Sequence, residues 1–112
     1  MFFSSESGPV QNLVAKATST SLTVTWDAPV HSNSHIMYYV IRYREQQVGS
    51  CESGRLVWTP KVDIDPNETI YLIKYLKPFS IYGIRVWAHT TSGKGQFSTI
   101  TVTTEPSGIV ML

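Results

Sequence analysis

The residues able to do chemistry in this 112-residue chain are few and scattered. His31 and His35 stand four apart, a spacing that would set two imidazoles on one face of a helix. They fall instead in a Ser- and Asn-bearing stretch that reads as a loop, with no third ligand beside them, so exposed histidines and no metal site are expected. Asp63 and Asp65 flank Ile64 close to Glu68, and such carboxylates would suit a hard cation such as calcium. Their spacing matches no loop with a defined set of oxygen ligands, and a solvated acidic turn is expected. No nucleophile has a base and an orienting group at a productive spacing. The sequence therefore predicts no catalytic residue, no metal and no cofactor.

Two positions offer modification chemistry. Asn67-Glu68-Thr69 is an Asn-x-Ser/Thr glycosylation acceptor, placed after Pro66 and ahead of a strand where an exposed turn is expected. Cys51 is the lone cysteine, so an internal disulfide is excluded and the thiol is either free or bridged to another chain or domain. Gly49, Ser50, Glu52, Ser53 and Gly54 surround it and predict an exposed, mobile loop.

These residues need a frame. Hydrophobic residues make up 42% of the chain and charged residues 15%, which excludes a disordered segment and predicts a packed core. The length fits one domain. A formal charge of +1, with both signs mixed along the sequence, offers no footprint for nucleic acid or anionic membrane. No apolar run approaches the roughly 18 to 20 residues that cross a bilayer, so direct membrane insertion by this segment is not expected. Residues 1–8 and 107–112 read as linkers or chain ends, leaving one domain over 9–106.

Alternation of apolar and polar residues marks short strands. Leu22, Val24 and Trp26 alternate with Ser21, Thr23 and Thr25, and the run stops at Asp27-Ala28-Pro29. Ile36 to Arg44 sets Tyr39, Ile41 and Tyr43 on one face, with Tyr38, Val40, Arg42 and Arg44 on the other. A weaker strand is expected at Leu56, Val57 and Trp58, and another from Ile70 to Leu76 with a kink near Tyr75. Tyr82, Ile84, Val86 and Ala88 alternate with Gly83, Arg85 and Trp87, and Ile100 and Val102 alternate with threonines. With an edge strand around Val10 to Ala17 the count is about seven, which favours two stacked sheets with Trp26 at the centre.

The residues from Pro9 to Pro106 resemble the fibronectin type III pattern. Ser21-Leu22-Thr23-Val24-Thr25-Trp26-Asp27-Ala28-Pro29 is similar to its second strand, and Tyr39-Val40-Ile41-Arg42-Tyr43-Arg44 to its third. Leu76-Lys77-Pro78-Phe79-Ser80-Ile81-Tyr82, then Ile84-Arg85-Val86-Trp87-Ala88 and the loop Ser92-Gly93-Lys94-Gly95, resembles the family's signature. The resemblance implies an all-β, immunoglobulin-like, seven-stranded antiparallel β-sandwich of fibronectin type III topology. It implies a core of Trp26, Tyr39, Ile41, Leu76, Tyr82, Ile84 and Val86, and a tyrosine corner in which the Tyr82 hydroxyl bonds to upstream backbone. A true immunoglobulin domain would carry a cysteine where Ile84 stands. Two departures are evident: the segment from Arg44 to Trp58 is long, and His89 to Gln96 lacks an Arg-Gly-Asp tripeptide.

The function implied is a non-catalytic protein–protein interaction module in the extracellular part of an adhesion or signalling receptor. Its partners would be neighbouring domains and a cell-surface ligand. The alternative is a passive spacer in a tandem array, extracellular or of the intracellular muscle or cytoskeletal kind. The candidate protein-binding face carries Tyr38, Val40, Arg42, Arg44, Arg85 and Trp87, all pointing away from the core by the period of two. The competing reading is a self-contained ladder with the arginines stacked on Trp87 and Tyr38. A second candidate is the pole formed by His31 to His35 and His89 to Gln96, which offers no evident anchor residue.

Overall fold

The computed structural model describes residues 7–30, 35–48, 51–52 and 57–107. In chain order the strands are β1 (Gln11–Ala17), β2 (Leu22–Asp27), β3 (Ile36–Val48), β4 (Cys51–Glu52), β5 (Val62–Ile64), β6 (Ile70–Ile73), β7 (Ser80–Thr90), β8 (Gly93–Lys94) and β9 (Ser98–Thr103). They form two sheets. One is three-stranded in the order β1-β2-β6, and in the other β3 and β7 pair centrally. Along the far edge of β3 run β4 and β5, and along the far edge of β7 run β8 and β9. Every pairing is antiparallel, so the chain is an all-β sandwich.

The period of two explains which side chains meet between the sheets. Leu22, Val24 and Trp26 project inward from β2, facing Tyr39 and Ile41 from β3 and Ile84, Val86 and Ala88 from β7. Ile64, Ile73, Leu76 and Tyr82 complete the buried cluster. Trp26 meets Tyr39 edge to face, ring centroids 5.5 Å apart and planes at 69°, an arrangement that sets the positive ring edge against the negative face.

The corner before β7 is held by a compact set of hydrogen bonds. The Lys77 amide donates to the Tyr82 hydroxyl at 2.9 Å. Thr104, buried just after β9, accepts from the Ser80 amide at 2.9 Å and donates from its own hydroxyl to the Lys77 carbonyl at 2.6 Å. Tyr75 and Phe79 bracket the corner with φ of 63° and 48°, so the kink expected near Tyr75 is a left-handed residue.

Three differences from the sequence reading have physical causes. Val57 and Trp58 are not in a strand, and Leu56 lies outside the described residues. Thr59 hooks onto β3, its amide donating to the Tyr43 carbonyl, and Pro60 has no N–H with which to continue the ladder. Pairing resumes at Val62, opposite Ile41. Cys51 lies in β4, its backbone opposite Val48, where a loop was expected; residues 49–50 and 53–56 around it lie outside the described residues. Ser7, read as part of the flank, is buried, and its carbonyl accepts from the Gln96 amide.

Candidate functional site

Strand register sets the residues of the β3–β7 outer face. Tyr38 lies opposite His89, Val40 opposite Trp87, Arg42 opposite Arg85 and Arg44 opposite Gly83. Gly83 has no side chain, and a Cβ there would come within 2.6 Å of Gln46 Nε2 and 3.6 Å of the Trp58 ring. Trp58 is therefore able to lie across the strand, and both guanidinium groups beside it stack on its ring, Arg85 at 4.3 Å and Arg44 at 4.7 Å from the centroid. Arg85 also lies 4.4 Å from the Phe97 centroid, and the Lys94 ammonium lies 4.2 Å from Phe97 and 4.7 Å from Trp87. Cations and rings thus alternate across the sheet.

This layering corrects the expected exposure of two residues. Trp87 and Val40 point away from the sandwich core, yet each is only 2% exposed. Phe97 packs on Trp87 at 4.9 Å, and Lys94 covers it further. The arginines do not stack on Trp87 and Tyr38; they take Trp58 and Phe97, while Tyr38 stacks on His89 at 4.7 Å with planes 10° apart. Arg42 Nε donates to the Thr59 carbonyl at 2.7 Å. Slight desolvation beside the rings, and then the like charges of Lys61, Arg85 and Arg42, lower the pKa of the exposed Lys94 from its ordinary value.

Trp58, Phe97, Lys61 and Lys94 were missed as members of this face. Lys61 and Phe97 lie outside any alternating run, Lys94 lies in a two-residue strand, and Trp58 lies where a strand was expected and none forms, so alternation could not assign them to a side. The signal that was present is Gly83, since a glycine inside a strand marks a close approach of another group.

The outer face of the three-stranded sheet is different in character. Val14, Thr25 and Ile70 form one cross-strand row, and Lys16, Thr23 and Leu72 the next. Ile70 is 52% exposed and Leu72 46%, both on the edge strand β6. Beyond them Tyr75 stands 95% exposed beside an open cleft of about 490 Å³ lined by Thr20, Ser21, Leu72, Lys74, Tyr75 and Leu76.

The fibronectin type III domain profile matches residues 8–104. This chain belongs to the fibronectin type III family. Among curated relatives it is 36% identical over 89 residues to mouse (Mus musculus) neogenin, covering 79% of this chain and 5% of that protein. It is 33% identical over 90 residues to human (Homo sapiens) ephrin type-B receptor 6, covering 80% of this chain and 8% of that protein. The chain thus spans a small fraction of the receptors it matches. Among solved structures, the FN5 domain of Drosophila Lar superposes with a TM-score of 0.67 at 32% identity, covering 91% of this chain and 99% of that one.

In fibronectin type III terms, the bond from Lys77 to Tyr82 is the tyrosine corner. Modules of this family are generally non-catalytic, and in receptors they mediate protein–protein contacts. Among the described residues no three or more His, Cys, Asp or Glu side chains gather as a metal site, and no helix is long and apolar enough to cross a membrane. Asp65 shapes its own turn, its carboxylate accepting from the Asn67 amide at 2.8 Å and its carbonyl from Glu68. Asn67 itself is exposed. Of the loop pole, His31 lies outside the described residues, while the His35 carbonyl accepts from the Thr91 amide and so ties the two loops together.

Proposed function

We propose that this fibronectin type III module is a protein–protein interaction unit in the extracellular part of an adhesion or signalling receptor, docking its partner on the outer face of β1, β2 and β6. The observation that carries the reading is that Leu72 and Tyr75 are left open beside one cleft, with Ile70 exposed on the same edge strand as Leu72. Contiguous exposed apolar surface marks association sites on soluble domains, and Tyr is among the residues that most often anchor them. Tyr75 adds a second point: it holds a left-handed backbone conformation and yet gains almost no burial within the domain.

The likeness to receptor modules supports the extracellular placement, and the exposed acceptor Asn67 is consistent with a glycoprotein. On the opposite sheet Tyr38, Arg42, Arg44 and Arg85 are half-buried, whereas Val40 and Trp87 support that surface from beneath and are not reachable by a partner.

The test is a binding screen of the chain against a library of cell-surface ectodomains, with Tyr75→Ala and Leu72→Glu run beside the parent. A protein ligand lost in both variants, with thermal unfolding unchanged, is the expected result. A ligand retained by both would move the docking face elsewhere, and an absence of any ligand would favour a spacer.

A further inference from the structure

We propose that β6 is a self-association edge, on which a second copy of this chain adds its own β6 antiparallel and joins the two three-stranded sheets into one. The proposal rests on the reading of this side of the domain as a docking surface and names its partner.

The backbone supplies the template. In the three-stranded sheet β6 has β2 on one side and, among the described residues, no strand on the other. The Trp26 amide donates to the Thr69 carbonyl, in the same register that sets Thr25 opposite Ile70 and Val24 opposite Tyr71. Antiparallel strands turn their hydrogen-bonding groups to alternate sides, so Tyr71 and Ile73 direct theirs to β2. The N–H and C=O groups of Ile70 and Leu72 therefore point outward, open to another strand. Other edges are guarded. β1 breaks its register between Gln11 and Val14 and carries Lys16, whereas β5 carries exposed Asp63 between Pro60 and Pro66. Bulges, charges and prolines of this kind keep edges from pairing, and β6, reading Ile-Tyr-Leu-Ile, has none of them.

The occupant follows from the side chains. A pair of identical strands is related by a two-fold axis, so each residue meets its mirror position in the other copy. With the axis at Tyr71, Ile70 falls opposite the partner's Leu72 and Leu72 opposite the partner's Ile70. Both are exposed on the outer face, so each gains an apolar cross-strand neighbour. Tyr71, half-buried, meets the partner's Tyr71 at the axis. Further out, exposed Glu68 falls opposite the partner's exposed Lys74, and Lys74 opposite the partner's Glu68. Neither forms an ion pair within its own domain among the described residues. An axis at Ile70 would set Glu68 against Leu72 and Lys74 against Pro66, and one at Leu72 would set them against Leu76 and Ile70. Charge and apolar matching thus select the Tyr71 axis. The run from Glu68 to Lys74 complements its own reversal, which singles out a second copy over another extended segment.

Sedimentation velocity on bacterially made chain, in which Asn67 stays bare, measures self-association from micromolar to millimolar concentrations, the range that a small interface calls for. Lys74→Glu is compared with Lys74→Glu combined with Glu68→Lys, and circular dichroism melts check that both fold as the parent does. The parent should dimerise, the single variant should associate at least about tenfold more weakly, and the charge-swapped double should recover the parent's level. Hydrogen exchange adds the backbone readout: the Ile70 and Leu72 amides should gain protection as concentration rises. A parent that stays monomeric, a double variant no better than the single one, or a dimer in which those amides still exchange freely would each overturn the proposal. A monomer that still captures an ectodomain through Leu72 and Tyr75 would overturn the pairing alone and leave the docking reading in place. A dimer that captures no ectodomain would uphold the pairing and remove the second ligand.

Discussion

The Lys77 amide and the Tyr82 hydroxyl, five residues apart, are joined by a 2.9 Å hydrogen bond that fixes the chain as it crosses from one sheet to the other. Tyr82 is buried and its ring lies edge-on to Tyr43 at 6.5 Å. Tyr82→Phe keeps the ring packing and removes only the acceptor, leaving the Lys77 N–H without its partner. The expected cost is about 0.5 to 1.5 kcal/mol, rising toward about 3 kcal/mol if water cannot reach the amide. Urea unfolding should show a lower midpoint at unchanged slope.

Burial raises the pKa values of Tyr39, Tyr43 and Tyr82 above the ordinary tyrosine value, with the Lys77 hydrogen bond partly opposing the rise at Tyr82. A raised pKa means that the folded state holds its phenol protons more tightly than the unfolded chain. The resulting stability is complete below the unfolded tyrosine value of about 10 and is lost as pH climbs through it toward the folded values. Thermal midpoints followed from about pH 8 to pH 11 should stay level and then fall, and Tyr43→Phe should flatten the fall.

Much of this frame was legible because apolar alternation reports direct contact with the core. Leu22, Val24, Trp26, Tyr39, Ile41, Ile84 and Val86 all sit in strands long enough to show the period, and all are buried. The corner was legible from Leu76 to Tyr82 as a run of residue types. The outer surface was not, for a physical reason: parity tells which way Trp87 points but not what lies over it. Its cover comes from Phe97 and Lys94, beyond the following turn and outside any alternating run. The open face around Tyr75 escaped notice for the converse reason, since Ile70 and Leu72 looked like ordinary strand residues until β6 proved to be an edge.

Gly83 is the seat of Trp58, so enlarging it should unseat the indole. In Gly83→Ala the new methyl meets the far end of Gln46, which is able to swing aside. Gly83→Val adds bulk that reaches the ring as well. A destabilisation of about 1 to 3 kcal/mol is expected for the valine variant, typical of overpacking, and little for alanine. Tryptophan fluorescence should shift toward longer wavelength in the valine variant alone as Trp58 loses Arg44 and Arg85.

Asn67 stands exposed in the turn between β5 and β6, where an attached glycan would meet no core residue. Chain expressed through the secretory pathway should gain the mass of one N-linked glycan and lose it in Asn67→Gln. An unmodified Asn67 in such material would count against the extracellular reading.

Tyr75 combines a φ of 63° with 95% exposure, so its left-handed backbone is not compensated by packing inside the domain. A left-handed conformation costs an ordinary L-residue about 1 to 2 kcal/mol, while glycine adopts it without that penalty. Tyr75→Gly removes the strain but gives the unfolded chain more freedom, so the net gain should be modest, about 0.5 to 1 kcal/mol. If Tyr75 is there to meet a partner, the same variant should lose the protein ligand found in the ectodomain screen while melting at a higher temperature. Stability and binding would then move in opposite directions at a single residue. A variant that melts higher and keeps its ligand would show that the tyrosine contributes nothing to recognition.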